Sequence, residues 1–130
     1  MKGLLAAVVL ALVVLVSGCG SGGTTIYTKD ATEACLRKAA LDPRPVTETA
    51  DFVANSATGG AFTVQLVDNR VTVSFGETMD DADNIDQAYR RFHSANVGID
   101  DILRTQGNAV MLWRQHPSDA NIATVTGCLS

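Results

Sequence analysis

Two stretches of this chain repeat one pattern, and that pattern narrows the possible folds more than any other feature. Phe62, Val64 and Leu66 alternate with Thr63, Gln65 and Val67, Asp68–Asn69 makes a turn, and Val71, Val73 and Phe75 alternate with Arg70, Thr72 and Ser74. Two period-two runs across a short polar loop predict a β-hairpin. Thr78 then starts a helix, with Asp80, Asp81 and Asp83 in its first turn and Arg90, Arg91 and His93 near its end. Ala82, Ile85, Tyr89 and Phe92 keep helical spacing along it. Ile102 to Gln106, Gly107–Asn108 and Ala109 to Arg114 predict a second hairpin. Pro117 and Ser118 open a last segment through Ala120, Ile122, Ala123, Val125 and Leu129. A helix with Pro early in it is the favoured reading there. A strand competes, because Ile122, Thr124, Val125 and Thr126 favour one.

A weak echo links the two halves, its spacings slipping by one or two residues. Asn69, Val71, Phe75, Asp81–Ala82 and Ile85 are answered by Asn108, Val110, Trp113, Asp119–Ala120 and Ile122. Ahead of the repeat, Asp30 can cap a helix with Glu33 three residues on, and that helix runs to about Leu41, before Asp42–Pro43. Between Pro43 and Gly60, Phe52 and Val53 fit one or two helical turns or a covering flap. The expected architecture is α+β. A helix is followed by two ββα units, giving a four-stranded antiparallel sheet with helices packed on one face.

The start of the chain is of another kind. Lys2 precedes an unbroken apolar run, Leu4 to Val16, and the small residues Ser17–Gly18 follow. These are the marks of a secretory signal peptide. The run is shorter than the ~20 residues that a membrane-spanning helix needs. Leu15–Val16–Ser17–Gly18–Cys19 resembles the lipobox of bacterial lipoproteins. The resemblance implies diacylglyceryl transfer to the Cys19 thiol, cleavage before Cys19 and further acylation there, with palmitate among the expected chains. Residues 1–18 are then a removed signal peptide, 19–29 a lipidated Cys with a flexible tether, and 30–130 a single domain. The Gly- and Ser-rich tether has an r.m.s. reach of ~17 Å.

Cysteine use agrees with export. With Cys19 acylated, Cys35 and Cys128 remain, and an oxidising compartment favours a disulfide between them, joining the first and last helices. The alternative is two buried free thiols. In the chain-entropy model, a closed loop of about 90 residues contributes roughly 4–5 kcal/mol. The chain carries a net charge of −4, so it lacks the basic footprint of a nucleic-acid binder. An acidic surface is also weakly repelled by anionic lipid, which leaves the acyl chains as the anchor.

The residues that could carry chemistry have ordinary readings beside them. Glu77, Asp80, Asp81, Asp83 and Asp86 form the densest acidic cluster, but EF-hand spacing fails and acids stabilise a helix start anyway. His93 and His116 are the only histidines, with no paired spacing for zinc. No nucleophile elbow, phosphate loop or dinucleotide fingerprint occurs. No cofactor, metal or catalytic residue is therefore expected.

The expected binding face comes from the repeat register. If Val110 and Leu112 match Val71 and Val73, then Trp113 and Met111 face the other side of the sheet, among Thr63, Gln65, Arg70 and Thr72. A polar face carrying one Trp and one Met resembles a recognition surface. The competing reading is that the segment from Pro43 to Gly60 folds over and buries Trp113 with Phe52. A one-residue register slip would exchange the faces outright.

The mature domain as a whole resembles small exported proteins of actinobacteria. The likeness is carried by an Ala-x-x-x-Cys-Leu helix (Ala31 to Leu36), a Gly–Asn turn before an apolar strand ending in Trp (Gly107 to Trp113), a following Pro and a Cys–Leu end. It implies a binding-type lipoprotein on the outer face of the cytoplasmic membrane and transfers no catalytic residue. The sequence thus points to a monomeric, non-catalytic module of the cell envelope, its partner an envelope protein or a small ligand. A small envelope hydrolase and a carrier of an apolar ligand are the alternatives.

Overall fold

A computed structural model describes residues 25–47, 51–92 and 98–130. The signal peptide, Cys19, most of the tether and His93 lie outside the described residues. In chain order the elements are α1 (Lys29–Lys38), β1 (Arg44–Pro45), α2 (Phe52–Asn55), β2 (Ala61–Gln65), β3 (Arg70–Phe75), α3 (Met79–Phe92), α4 (Ile99–Ile102), β4 (Leu103–Gln106), β5 (Ala109–Trp113) and α5 (Asp119–Thr126). Both hairpins, the helix after each, and the one helical turn at Phe52 follow the sequence reading. The strand count does not: the antiparallel sheet has five strands, in order β1-β2-β3-β5-β4. The extra strand is β1, two residues with Pro at the second position. A stretch that short shows no periodicity, and Pro is tolerated at a sheet edge.

Caps explain where the helices start. Thr28, rather than Asp30, caps α1 by accepting from the Ala31 amide, while Glu33 pairs with Lys29 and Arg37. At α3 the Asp81 amide donates to the Thr78 hydroxyl, and the Thr78 amide donates to the Asp81 carboxylate. The acidic cluster thus supplies a helix cap, as charge at a helix start should. Among the described residues no group of carboxylate, His and Cys side chains could hold a metal ion. Ser118 and Asn121 close a reciprocal capping box at α5, which settles that segment as a helix.

The turn asparagines lock the two hairpins together. Asn108 is fully buried, accepts from the Tyr27 amide and donates to the carbonyls of Tyr27 and Gly76. Asn69 reciprocates, donating to the Gln115 carbonyl beyond β5 and accepting from the Arg70 amide. Each turn thereby holds the far end of the other hairpin's second strand. Gly107 has φ +57°, so the β4–β5 turn uses glycine's access to the left-handed region. Gly76 is required by space, since a Cβ there would meet the Ala82 amide nitrogen at 2.6 Å, where α3 crosses the strand end.

Helices cover both faces, not one. On the first face Phe62, Val64, Val71, Val73, Phe75, Met111 and Trp113 pack with Leu36 of α1 and with Val125, Cys128 and Leu129. On the second, Val110 and Leu103 pack with Ala82, Ile85 and Tyr89 of α3 and Val53 of α2. The Cys35–Cys128 disulfide ties α1 to the chain just past α5, with Cα atoms 5.3 Å apart. The chain end joins the same layer, as the Thr28 amide donates to the Ser130 carbonyl.

Candidate functional site

Register decides which side chains share each face of the sheet. Val71 opposes Trp113 and Val73 opposes Met111, so these four share one face. Trp113 and Met111 are each 1% exposed and lie in the core beneath α1 and α5. The expectation that they share a face with Thr63, Arg70 and Thr72 is thereby corrected. Anchoring the repeat on Asn69 and Asn108 gives the wrong parity. Matching Phe75 with Trp113 gives the right one, because those two aromatics fill the same core. The competing reading, burial of Trp113 with Phe52 under residues 43–60, has the burial right and the face wrong. The Trp113 indole N–H has no hydrogen-bond partner among the described residues.

The opposite face carries the opening. One row of cross-strand neighbours runs Arg44, Thr63, Thr72, Leu112, Leu103 across all five strands. The next row toward the sheet end pairs Gln65 with Arg70. The Arg114 amide donates to the Arg70 carbonyl at 2.8 Å, which extends that row past β5. Side chains two residues apart on a strand share a face. Arg70 and Arg114 therefore project on the same side as Thr72 and Leu112. Between this half of the sheet, residues 44–47, Asp51 with α2, and the C-terminal end of α3 lies an open cleft of about 860 Å³. Arg44, Arg70, Arg114, Thr63 and Thr72 all line it. Gln65 does not contribute, because its amide turns back to donate to the carbonyls of Leu66 and Asn69.

The wall facing the sheet is held rigidly. Asp51 caps α2 through the Ala54 amide and accepts from the Tyr89 hydroxyl at 2.7 Å. One carboxylate thus fixes the short helix to α3. Burial pushes the Tyr89 phenol above its ordinary value, the Ser74 hydroxyl opposes that shift, and neighbouring Asp51 adds to it. The phenol therefore stays protonated as a donor at neutral pH. At the rim, Phe52 and Phe92 meet edge to face with ring centroids 5.0 Å apart, each 57% exposed.

Arg70, Thr63 and Thr72, expected on a binding face from the sequence, line this cleft. Sequence reasoning missed Arg44, Arg114, Phe52 and Phe92 as members of the same site. Only Arg114 had a sequence signal: it continues the alternation Leu112, Arg114 beyond the strand. Elsewhere, His116 pairs with Asp101 at 2.6 Å on the surface, and among the described residues no hydroxyl hydrogen-bonds to it. Compared with known proteins, the chain matches no family model, no curated protein and no solved structure.

Proposed function

We propose that the protein is a lipid-anchored, non-catalytic binding module of the cell envelope, and that the cleft over Thr63, Thr72 and Leu112 is its binding site. The observation that carries this reading is the gathering of Arg44, Arg70 and Arg114 around one cleft in a chain of net charge −4. The Leu15–Cys19 lipobox and the Gly/Ser tether support attachment through acylated Cys19 to the outer face of the cytoplasmic membrane. No helix among the described residues is long and apolar enough to cross a membrane.

The placement of the cleft fits such a role. The tether enters at Tyr27, which hydrogen-bonds to Asn108 beside Gly76, at the C-terminal end of β3. Arg70 begins β3, on the order of 17 Å away along the strand. The site thus sits at the end of the sheet remote from the attachment point, within reach of other envelope components.

Site-specific photo-crosslinking in intact cells tests the reading. A benzophenone side chain at Thr63 should form discrete adducts that one at Ala123, exposed on α5, does not. Equal adduct patterns at both positions would remove the cleft as the site. Mass spectrometry of the membrane-extracted protein tests the anchor: an acylated N-terminal Cys19 is expected, and an unmodified Cys19 would contradict it.

A further inference from the structure

We propose that the cleft takes a small anionic amphiphile, its carboxylate or phosphate group held between Arg70 and Arg114 and its apolar body laid along Leu112 toward Phe52 and Phe92. This rests on the reading of the cleft as the binding site. The charge argument starts from the pairing of the two arginines. Arg70 begins β3 and Arg114 directly follows β5 in the same cross-strand row, where directly opposed side chains have Cβ atoms about 4.5–5.5 Å apart and like charges are unfavourable. Arg37, Arg44 and Arg90 each have a carboxylate partner, while among the described residues Arg91 and Arg104, like the cleft pair, have none but do not line the cleft. Among the described residues, neither Arg70 nor Arg114 has one. The molecule therefore holds two uncompensated guanidinium groups side by side at one end of an open cleft. Each presents a planar fork that matches a carboxylate or phosphate. An oxyanion between them would turn the repulsion into two charge-assisted pairs.

The rest of the cleft is not suited to a bare ion. Its floor passes from the Thr63 and Thr72 hydroxyls to Leu112 and Ile102, and its rim carries the two half-exposed phenyl rings. Apolar surface of that kind gains from covering a hydrocarbon body. A volume of about 860 Å³ falls in the range of single small-molecule sites. On that side of the cleft the Tyr89–Asp51 hydrogen bond already joins α2 to α3. The headgroups of the anchoring bilayer are the less favoured source of the anion, because the arginine pair lies at the end of β3 away from the tether.

Calorimetric titration of the full lipoprotein in zwitterionic nanodiscs, with empty discs as reference, tests the assignment. Octyl phosphate and octanoate should bind, inorganic phosphate at least tenfold more weakly, and octyltrimethylammonium not at all. The double variant Arg70→Gln/Arg114→Gln should weaken octyl phosphate at least tenfold with an unchanged circular-dichroism melt. Phe92→Ser should weaken octyl phosphate several-fold and leave inorganic phosphate alone. Heats equal to those of empty discs, undiminished binding by the double variant, or equal affinity for phosphate with and without the octyl chain would each overturn the proposal. If Thr63 adducts form in cells while octyl phosphate fails to bind, the ligand class is wrong and the cleft reading stands. Failure of both removes both.

Discussion

The two faces of the sheet are built from the same strands and have different fates. One face is sealed: Phe62, Val71, Val73, Phe75, Met111 and Trp113 are all at or below 1% exposure, and a disulfide fastens the helical layer over them. The other is covered by α3 over Val110 and Leu103 and left open over Thr63, Thr72 and Leu112. The difference traces to which residues alternate. β2 and β3 put Thr and Arg between their apolar positions, so their second face needs only partial cover. β5 reads Ala–Val–Met–Leu–Trp, apolar on both sides, and a strand like that demands a layer on each. Where the two strand types meet, at Thr72 beside Leu112, cover runs out and the cleft begins. The face that stabilises the molecule and the face that meets the outside are therefore separate.

Substitutions can break or sharpen that contrast. The largest effect belongs to the sealed face: Trp113→Ala should cost about 3–5 kcal/mol, as loss of a buried aromatic does. Urea unfolding followed by circular dichroism measures it, and a loss below about 1 kcal/mol would mean that the face is not sealed. Next comes the lock between hairpins. Asn108→Ala strands the buried carbonyls of Tyr27 and Gly76 and should cost about 2–3 kcal/mol in the same assay.

A smaller effect belongs to the wall of the cleft. Tyr89→Phe removes the hydrogen bond to Asp51 and should cost about 1 kcal/mol. It should also change the pH profile. The folded protein holds the phenolic proton more tightly than the unfolded chain does, because burial raises the Tyr89 pKa above its ordinary value of 10.0. That contribution is complete below the unfolded value and is lost progressively as the pH climbs above it toward the folded value, so stability should fall from about pH 10 upward. Thermal melts across that range should show a shallower fall in Tyr89→Phe. The smallest effect belongs to the open floor: Arg70→Gln with Arg114→Gln should change stability by no more than about 0.5 kcal/mol, with relief of the like-charge contact tending to stabilise.

Most of the element order was legible in the sequence, because local signals there agree with the fold. Alternation gave both hairpins, acidic starts and helical spacing gave α3, and the expectation of export, which favours pairing of the two remaining cysteines, gave the Cys35–Cys128 bond. β1 and α4 were not legible. Arg44–Pro45 is too short to show a period, and Ile99–Ile102 is one turn running directly into a strand. The assignment of faces failed for a more instructive reason. In β5 both parities are apolar, so alternation says nothing about direction, and the repeat had to decide it. Asn69 matched with Asn108 and Phe75 matched with Trp113 differ by one residue, and one residue exchanges the faces. The cleft itself needed the tertiary structure, since Arg44, Phe52, Phe92 and Arg114 come from four separate segments.

The separation of a sealed face from an open one is tested most directly by the fluorescence of Trp113, the sole tryptophan. With the protein in nanodiscs, emission and acrylamide quenching report on that indole alone. The structure predicts blue-shifted emission that acrylamide barely quenches, because Trp113 is 1% exposed. Red-shifted, readily quenched emission would put Trp113 on the open face, reverse the parity of β5 and contradict the account.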